Sequence, residues 1–223
     1  MTIRAALYVD GFNLYHAVKD LNEPFLKWCN LWRLGEIIIP QKSETLVRVV
    51  LCTAYYPGDP QKKWRHDQFL NALRVHGVDC ILGHYIQEEW ECRNCADIRQ
   101  KPTEKASDLN LGLSVITDAW RDVFDRAYLL TADSDQAATA RFLQETNAEK
   151  SLITVAPPGR NFSANIEKYC VGRIQITRDH LERCVMPAVV LNNNGNNHGR
   201  RPREYEPPKG WIHPDQRKNE RGE

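Results

Sequence analysis

The chain has 223 residues, with 30 Lys and Arg against 29 Asp and Glu, and is 42% hydrophobic and 9% aromatic. That balance excludes collagen, coiled coil and wholesale disorder and fits one soluble globular domain with an appendage. Residues 1–186 carry 23 basic against 24 acidic groups and residues 187–223 carry 7 against 5, so neither part has the basic excess of a protein that coats nucleic acid.

No apolar run approaches the roughly 18 to 20 residues that span a bilayer, since the best candidate, Leu46 to Tyr56, is interrupted by Arg48. Met1 to Asp10 runs into Gly11 without the features of a secretory signal, so a cytoplasmic location is expected. Seven cysteines make an odd number, and Cys29, Cys52, Cys80, Cys170 and Cys184 are scattered through helix- or strand-like segments, as buried thiols would be.

In chain order, the apolar run Ala5 to Val9 ending in Asp10-Gly11 predicts a short buried strand and a turn, with a helix from about Asn13. Phe25 to Ile39, with Leu26, Trp28, Leu31, Leu34 and Ile38, reads as one amphipathic helix stopped by Pro40. Leu46 to Tyr55 is a second strand. Gln61 to His76 is a helix with Trp64, Phe69, Leu70 and Leu73 inward, capped by Gly77.

Val78 to Ile86 predicts a third strand, and residues 87–102 a charged loop insertion containing Cys92 and Cys95. Glu104 to Asp122 reads as a well-buried helix, with Leu109, Leu113, Ile116 and Trp120 at helical intervals and Leu111 and Val115 widening the face. Strands at Ala127 to Thr131, Leu152 to Ala156 and Ile174 to Ile176 alternate with helices at Gln136 to Glu145, 163–170 and 178–184. This alternation predicts a three-layer α/β/α sandwich around a mostly parallel sheet, spanning residues 1–186. The Asn-, Pro- and Arg-rich composition of residues 187–223 predicts a flexible tail.

On this reading Asp10 closes the first strand, Asp133 and Asp135 follow the fourth, and Asp108 begins a helix, so all four face one edge. Ligands of open parallel sheets bind along that edge. A single Asp at a strand end is ordinarily a turn former or N-cap. Four together repel one another, and a hard divalent cation, Mg²⁺ or Mn²⁺, compensates such charge and suits phosphodiester hydrolysis. The chain has neither GxxxxGK[ST] nor a GxGxxG after its first strand, which sets nucleotide-hydrolase and dinucleotide readings behind.

Tyr8-Val-Asp-Gly-Phe-Asn-Leu14, Glu104-Lys-Ala-Ser-Asp-Leu-Asn110 and Leu129-Leu-Thr-Ala-Asp-Ser-Asp135, in this order, resemble the NYN-domain family, the LabA-like branch of the PIN-like nucleases. The resemblance covers roughly residues 3–186, and Thr177 to Pro187 is similar to the family's closing helix. It implies a PIN-like fold and a metal-dependent ribonuclease acting on single-stranded or structured RNA. Carried over by position, Asp10, Asp108, Asp133 and Asp135 match the acidic metal-binding set, Asn13 the motif's asparagine, and Ser134 a residue able to position water or substrate. Phe12 and Gln136 depart from the family's usual residues at their positions.

Glu104, four residues before Asp108, shares its face if the helix begins early, and otherwise serves as an acid near a helix N-terminus. Lys105 is a candidate phosphate contact or a solvated lysine, and His16 a candidate neighbour of the crevice or a surface histidine. Asp118, about 1000° of helical rotation beyond Asp108, falls outside the site. Cys92 and Cys95 have the spacing of half a zinc site, but no second CxxC or CxxH follows, which favours reduced thiols or a redox pair. Arg200, Arg201 and Arg203 near Tyr205 and Trp211 mix cations and aromatics as single-strand binders do, but a tail charge balance of only +2 favours generic disorder. The competing reading from another class is a non-catalytic RNA-binding or protein-interaction module that keeps the acidic pocket. Homo-oligomerisation stays open.

Overall fold

The computed structural model describes residues 2–91, 97–192 and 194–217. Its central strand, β1 (Ile3–Asp10), is buried throughout its last six residues, and alternation along it sends Leu7 and Val9 to one face and Ala6 and Tyr8 to the other. A strand covered on both faces needs apolar residues at every position, hence the unbroken run in the sequence. Strand β1 is followed by α1 (Gly11–Asp20), α2 (Leu31–Ile38), β2 (Glu44–Thr53), α3 (Pro60–Val75), β3 (Asp79–Leu82), β4 (His84–Glu91) and β5 (Ile98–Lys105). Then come α4 (Ser107–Trp120), β6 (Arg126–Leu130), α5 (Ala137–Thr146), β7 (Ser151–Ala156), α6 (Ala164–Glu167), β8 (Gly172–Gln175) and α7 (Arg178–Glu182).

The main sheet has six strands in the order β3-β2-β1-β6-β7-β8, all parallel, with Leu7 opposite Val49 on one side and Tyr128 on the other. Helices α1, α2, α3 and α7 bury Leu14, Leu34, Leu70 and Leu181 against one face. Helices α4, α5 and α6 bury Leu111, Val115, Leu143 and Ile166 against the other. This is the expected three-layer α/β/α arrangement. Chain order runs outward in opposite directions from β1 and β6, so a crevice opens between their carboxyl ends, the usual ligand position of such sheets. Among the described residues no helix is long and apolar enough to cross a membrane.

Several elements differ from expectation, each for a local reason. The helix expected over Phe25–Ile39 is a 3-10 turn, Pro24–Lys27, and a separate α2, because the Asn30 side chain accepts from Trp32 N and Arg33 N at 3.0 and 3.2 Å and caps a new start. The strand expected over Val78–Ile86 breaks at Gly83, where a Cβ would stand 2.6 Å from both Glu104 Oε1 and Lys105 O. Described parts of the expected 87–102 loop form the antiparallel ladder β4–β5. Cys92 and Cys95 lie outside the described residues. The helix expected from Glu104 starts at Ser107, because β5 continues to Lys105 and Ala106 turns through φ 77°.

The inward face assigned to α4 also needs correction. Leu111, Val115 and Ala119 are buried, whereas Leu109, Leu113 and Trp120 are 63%, 54% and 70% exposed. At 3.6 residues per turn the two candidate apolar rows stand roughly 130° apart around α4, and it is the row of Leu111, Val115 and Ala119 that packs into the core. Trp64 of α3 likewise lies at the surface while Leu70 and Leu73 point in.

The segment after Met186 departs most from its predicted flexibility. Strands β9 (Val189–Leu191) and β10 (Asn197–Arg200) form a hairpin against α3, where Gly199 packs so closely that a Cβ would lie 2.8 Å from Ala72 Cβ. Further on, Arg65 pairs with Glu204 at 2.8 Å, and Trp211 packs edge-on against Phe25 with ring centroids 5.5 Å apart. The short helix α8 (Pro214–Arg217) ends the described chain. Its apolar residues are few, but Val190, Tyr205 and Trp211 each meet the domain core, which average composition does not register.

Candidate active site

The crevice is assembled from chain turns that use its acids as caps. Asp10, 3% exposed, ends β1 and caps α1, its Oδ1 accepting from Asn13 N at 3.0 Å. Helix α1 starts tight against β2: a Cβ at Gly11 would lie 2.6 Å from Cys52 O, so only glycine fits there. The Asn13 carboxamide spans the crevice floor, donating from Nδ2 to Asp10 Oδ2 at 2.7 Å and accepting from Ala132 N at 3.3 Å.

Past β6, Thr131 joins the two sides. Its hydroxyl donates to Asp10 Oδ2 at 2.8 Å and accepts from Asp133 N at 3.0 Å. Asp133 then caps the 3-10 turn Ser134–Gln136, accepting from Asp135 N at 3.0 Å. Ser134 and Asp135 are exposed on that turn. Asp108 stands in the first turn of α4, and the buried Gln136 donates to its backbone carbonyl at 2.8 Å while accepting from Thr139 Oγ1 at 2.9 Å. This ties α4 to α5. Neither Thr131 nor Gln136 was assigned a role from the sequence. The signal for Thr131 was its position two residues before Asp133 in the same motif, and the signal for Gln136 was a polar residue where an apolar one is usual.

Electrostatics bring the four carboxylates into one field. Burial and then the negative charges of Asp10, Asp133, Glu104 and Asp135 push Asp108 up to about 6. Burial also raises Asp10, with Asp133 adding to it, although hydrogen bonds from Asn13 and Thr131 pull the other way. Beneath them, burial first, with Asp10 and Asp108 contributing, pushes the Cys52 thiol up to about 12, so it stays protonated.

The remaining candidates divide. Glu104 lies on β5 rather than on the helix, where its carboxylate accepts from Ser107 N at 2.9 Å and stays close enough to raise Asp108. Lys105 pairs with Glu88 across the β4–β5 ladder at 2.8 Å. His16 is exposed, its ring edge-on to Tyr15. Asp118 is buried elsewhere, accepting from the Tyr8 hydroxyl at 2.9 Å and pairing with Arg48.

The donor set is carboxylate oxygen, suited to a hard cation. Among the described residues, no three His, Cys, Asp or Glu side chains converge as a ready-made cage.

Fold and crevice together define a three-layer α/β protein with an acidic cleft at the topological switch point between β1 and β6. The chain belongs to the NYN domain family, whose model matches residues 4–173, and at family level it stands within the PIN-like nuclease superfamily. It is similar to 6-hydroxy-3-succinoylpyridine 3-monooxygenase HspA of Pseudomonas putida, 23% identical over 227 aligned residues that cover 84% of this chain and 72% of the relative. The crystal structure of a protein of unknown function, VPA0982, from Vibrio parahaemolyticus superposes with a TM-score of 0.55 at 18% identity, covering 79% of this chain and 94% of the other, a likeness of fold.

Proposed function

We propose that this protein is a metal-dependent endoribonuclease. The observation that carries the reading is Asp108, raised to about 6 beside Asp10, Asp133 and Asp135 in a crevice at the sheet's switch point. Like charges that raise one another in a shared crevice are costly unless a cation compensates them. Asp10, Asp108, Asp133 and Asp135 would hold Mg²⁺ or Mn²⁺. When bound, the cation supplies Lewis acidity at the scissile phosphate and lowers the pKa of an attacking water.

The chain's own residues do the positioning. Asn13 and Thr131 fix the rotamer of Asp10, and the cap made by Asp133 orders the turn on which the exposed Ser134 and Asp135 face substrate. Attack by water rather than by a ribose 2′-hydroxyl leaves 5′-phosphate and 3′-hydroxyl ends. Rings near Glu104 support a nucleic-acid substrate: Tyr56 and Tyr85 pack edge-on at 5.7 Å, with Lys62 over Tyr56 at 4.8 Å. The described thiols, Cys29, Cys52, Cys80, Cys170 and Cys184, are all free, which supports a reducing, cytoplasmic setting.

A second reading comes from the Pseudomonas relative, whose name is that of a monooxygenase acting on a hydroxypyridine. The carboxylate donor set favours hydrolysis over it. Cleavage of end-labelled single-stranded and hairpin RNA with Mg²⁺, Mn²⁺ or EDTA, comparing wild type with Asp133→Asn, tests the proposal. Cleavage lost in both EDTA and the variant, with 5′-phosphate products, is expected. Cyclic-phosphate products sink the mechanism. RNA binding without cleavage, unchanged by Asp133→Asn, favours the binding module, and turnover of 6-hydroxy-3-succinoylpyridine in air with a supplied two-electron reductant favours the oxygenase.

A further inference from the structure

Beside the turn that carries Ser134 and Asp135, a cavity of about 220 Å³ opens between the start of α5 and α6, lined by Ala137, Ala138, Arg141, Asn165, Lys168 and Tyr169. The lining contains two cations, an amide and a phenol, and no carboxylate. Helix α6 packs against both α5 and the Ser134–Gln136 turn, so this basic pocket and the acidic crevice are neighbours on one edge of the sheet. Ala137 and Ala138 carry only methyl groups, which leaves room for another backbone to approach.

Neither cation is committed within the fold. Arg141 is exposed and lies 3.9 Å from the equally exposed Glu145, a pairing of little strength, and Lys168 is exposed and reaches only the neutral Asn165 Oδ1 at 3.1 Å. Glu167 next to it is engaged by Arg173 at 2.9 Å. An acidic crevice repels a polyanion, so free positive groups beside it help to hold a strand there.

We infer that the α5–α6 pocket is a phosphate subsite for the single-stranded RNA flanking the cleaved bond, with Arg141 and Lys168 each taking a backbone phosphate. This rests on the nuclease reading above for the identity of the strand. Contacts of this kind carry affinity rather than base preference.

The test is anisotropy of labelled oligouridine against salt in EDTA, alongside cleavage kinetics with Mg²⁺, for wild type, Arg141→Ala/Lys168→Ala and a control, Lys42→Ala. Lys42 is exposed in the turn before β2, at the opposite edge of the sheet. The double variant is expected to bind roughly ten- to hundredfold more weakly at low salt, with a log–log salt slope shallower by about 1.4 for two phosphates on a single strand. It should raise KM and leave kcat near wild type, because the contacts are alike in ground and transition states. Arg141→Lys/Lys168→Arg should restore most of the binding, and Lys42→Ala should change nothing.

Unaltered binding and slope in the double variant, with cleavage by wild type intact, overturns the subsite and spares the nuclease. Wild type that binds without cleaving, while the double variant binds less, supports the subsite and removes the nuclease. Wild type that neither binds nor cleaves RNA overturns both. Melting curves of the double variant should match wild type, since both side chains are exposed.

Discussion

Asn13 holds Asp10 by two hydrogen bonds, its backbone N–H lying 3.0 Å from Oδ1 and its side-chain Nδ2 2.7 Å from Oδ2. The carboxamide oxygen also accepts from Ala132 N, so one side chain sets the position of the carboxylate and the spacing of the β1 and β6 ends. Asn13→Ala keeps the four acids but removes their spacer. Cleavage should fall roughly 10- to 100-fold, the usual effect of losing a group that orients a metal-ligating carboxylate. Stability should fall by roughly 1–3 kcal/mol from the unpaired groups. Urea titration and single-turnover cleavage check both. An Asn13→Ala protein with full activity would detach Asn13 from the mechanism.

Asp108 illustrates the opposite balance. Its carboxylate is raised by burial and by four neighbouring acids, so the metal-free fold carries a strain that the mutation can relieve. Asp108→Asn should abolish cleavage while stabilising the protein in EDTA by about 1 kcal/mol, after discounting for solvent screening, because the residue keeps part of its surface in water. For a chain of this size that amounts to a rise in Tm of about 2–4 °C. Adding Mg²⁺ should raise the wild-type Tm and leave the variant's nearly unchanged. A variant less stable than wild type in EDTA would contradict the repulsion account.

How much was legible in the sequence follows from which interactions are local. The run Ala5–Val9, the acid that ends β1 and the acids just past β6 could be read directly, because a doubly covered strand and its end turn are written in consecutive residues. Asp10, Asp108, Asp133 and Asp135 were brought to one edge by topology alone. The face of α4 was misread, since Leu109, Leu113 and Trp120 form a row as apolar as the buried Leu111, Val115 and Ala119, and only packing against the sheet chooses between them. Glu104 was assigned to a helix because nothing local announces that β5 continues to Lys105. Gln136 reads as an oddity until its donation to the Asp108 carbonyl is seen, a partner 28 positions away. The docking of residues after Met186 depends on partners still more remote, such as Arg65 and Phe25.

His66 gives the fold an acid-sensitive element. Its ring packs against Tyr55 at 5.1 Å and approaches the Thr53 hydroxyl at 3.4 Å, and burial pushes it down to about 4 from 6.5, with Arg74 lowering and Asp67 raising it. Between those values the unfolded chain takes up a proton that the folded chain refuses. Stability should therefore be full above about pH 6.5, fall as pH drops toward 4, and lose no more below it, for a total of about 2–3 kcal/mol. His66→Gln should flatten this part of the profile. Urea unfolding at several pH values between 4 and 7.5 for both proteins provides the check; parallel profiles would dismiss His66 as the source.

Glu182 anchors the C-terminal segment. Its side chain, 8% exposed, accepts from Trp211 Nε1 and Arg217 Nη2 at 2.7 Å each, and from Arg178 Nη1 at 2.6 Å. Burial alone would raise its pKa, but the Trp211, Arg217 and Arg178 hydrogen bonds prevail and hold it below the usual carboxylate range. A depressed carboxylate contributes stability that is present above its unfolded pKa and lost as pH falls through the folded one. Glu182→Ala leaves the Trp211 indole and the Arg217 Nη2 without their acceptor, while Arg178 keeps Glu23, and should release residues 187–217 from the domain. Hydrogen exchange should accelerate across β9, β10 and the Trp211 turn, and trypsin should cut after Arg200 and Arg203, while β1 and β6 keep their protection. The acidic crevice lies at the ends of those two strands, so cleavage of short RNA should persist in Glu182→Ala. Uniform acceleration of exchange over the whole chain would instead make this segment part of the cooperative core.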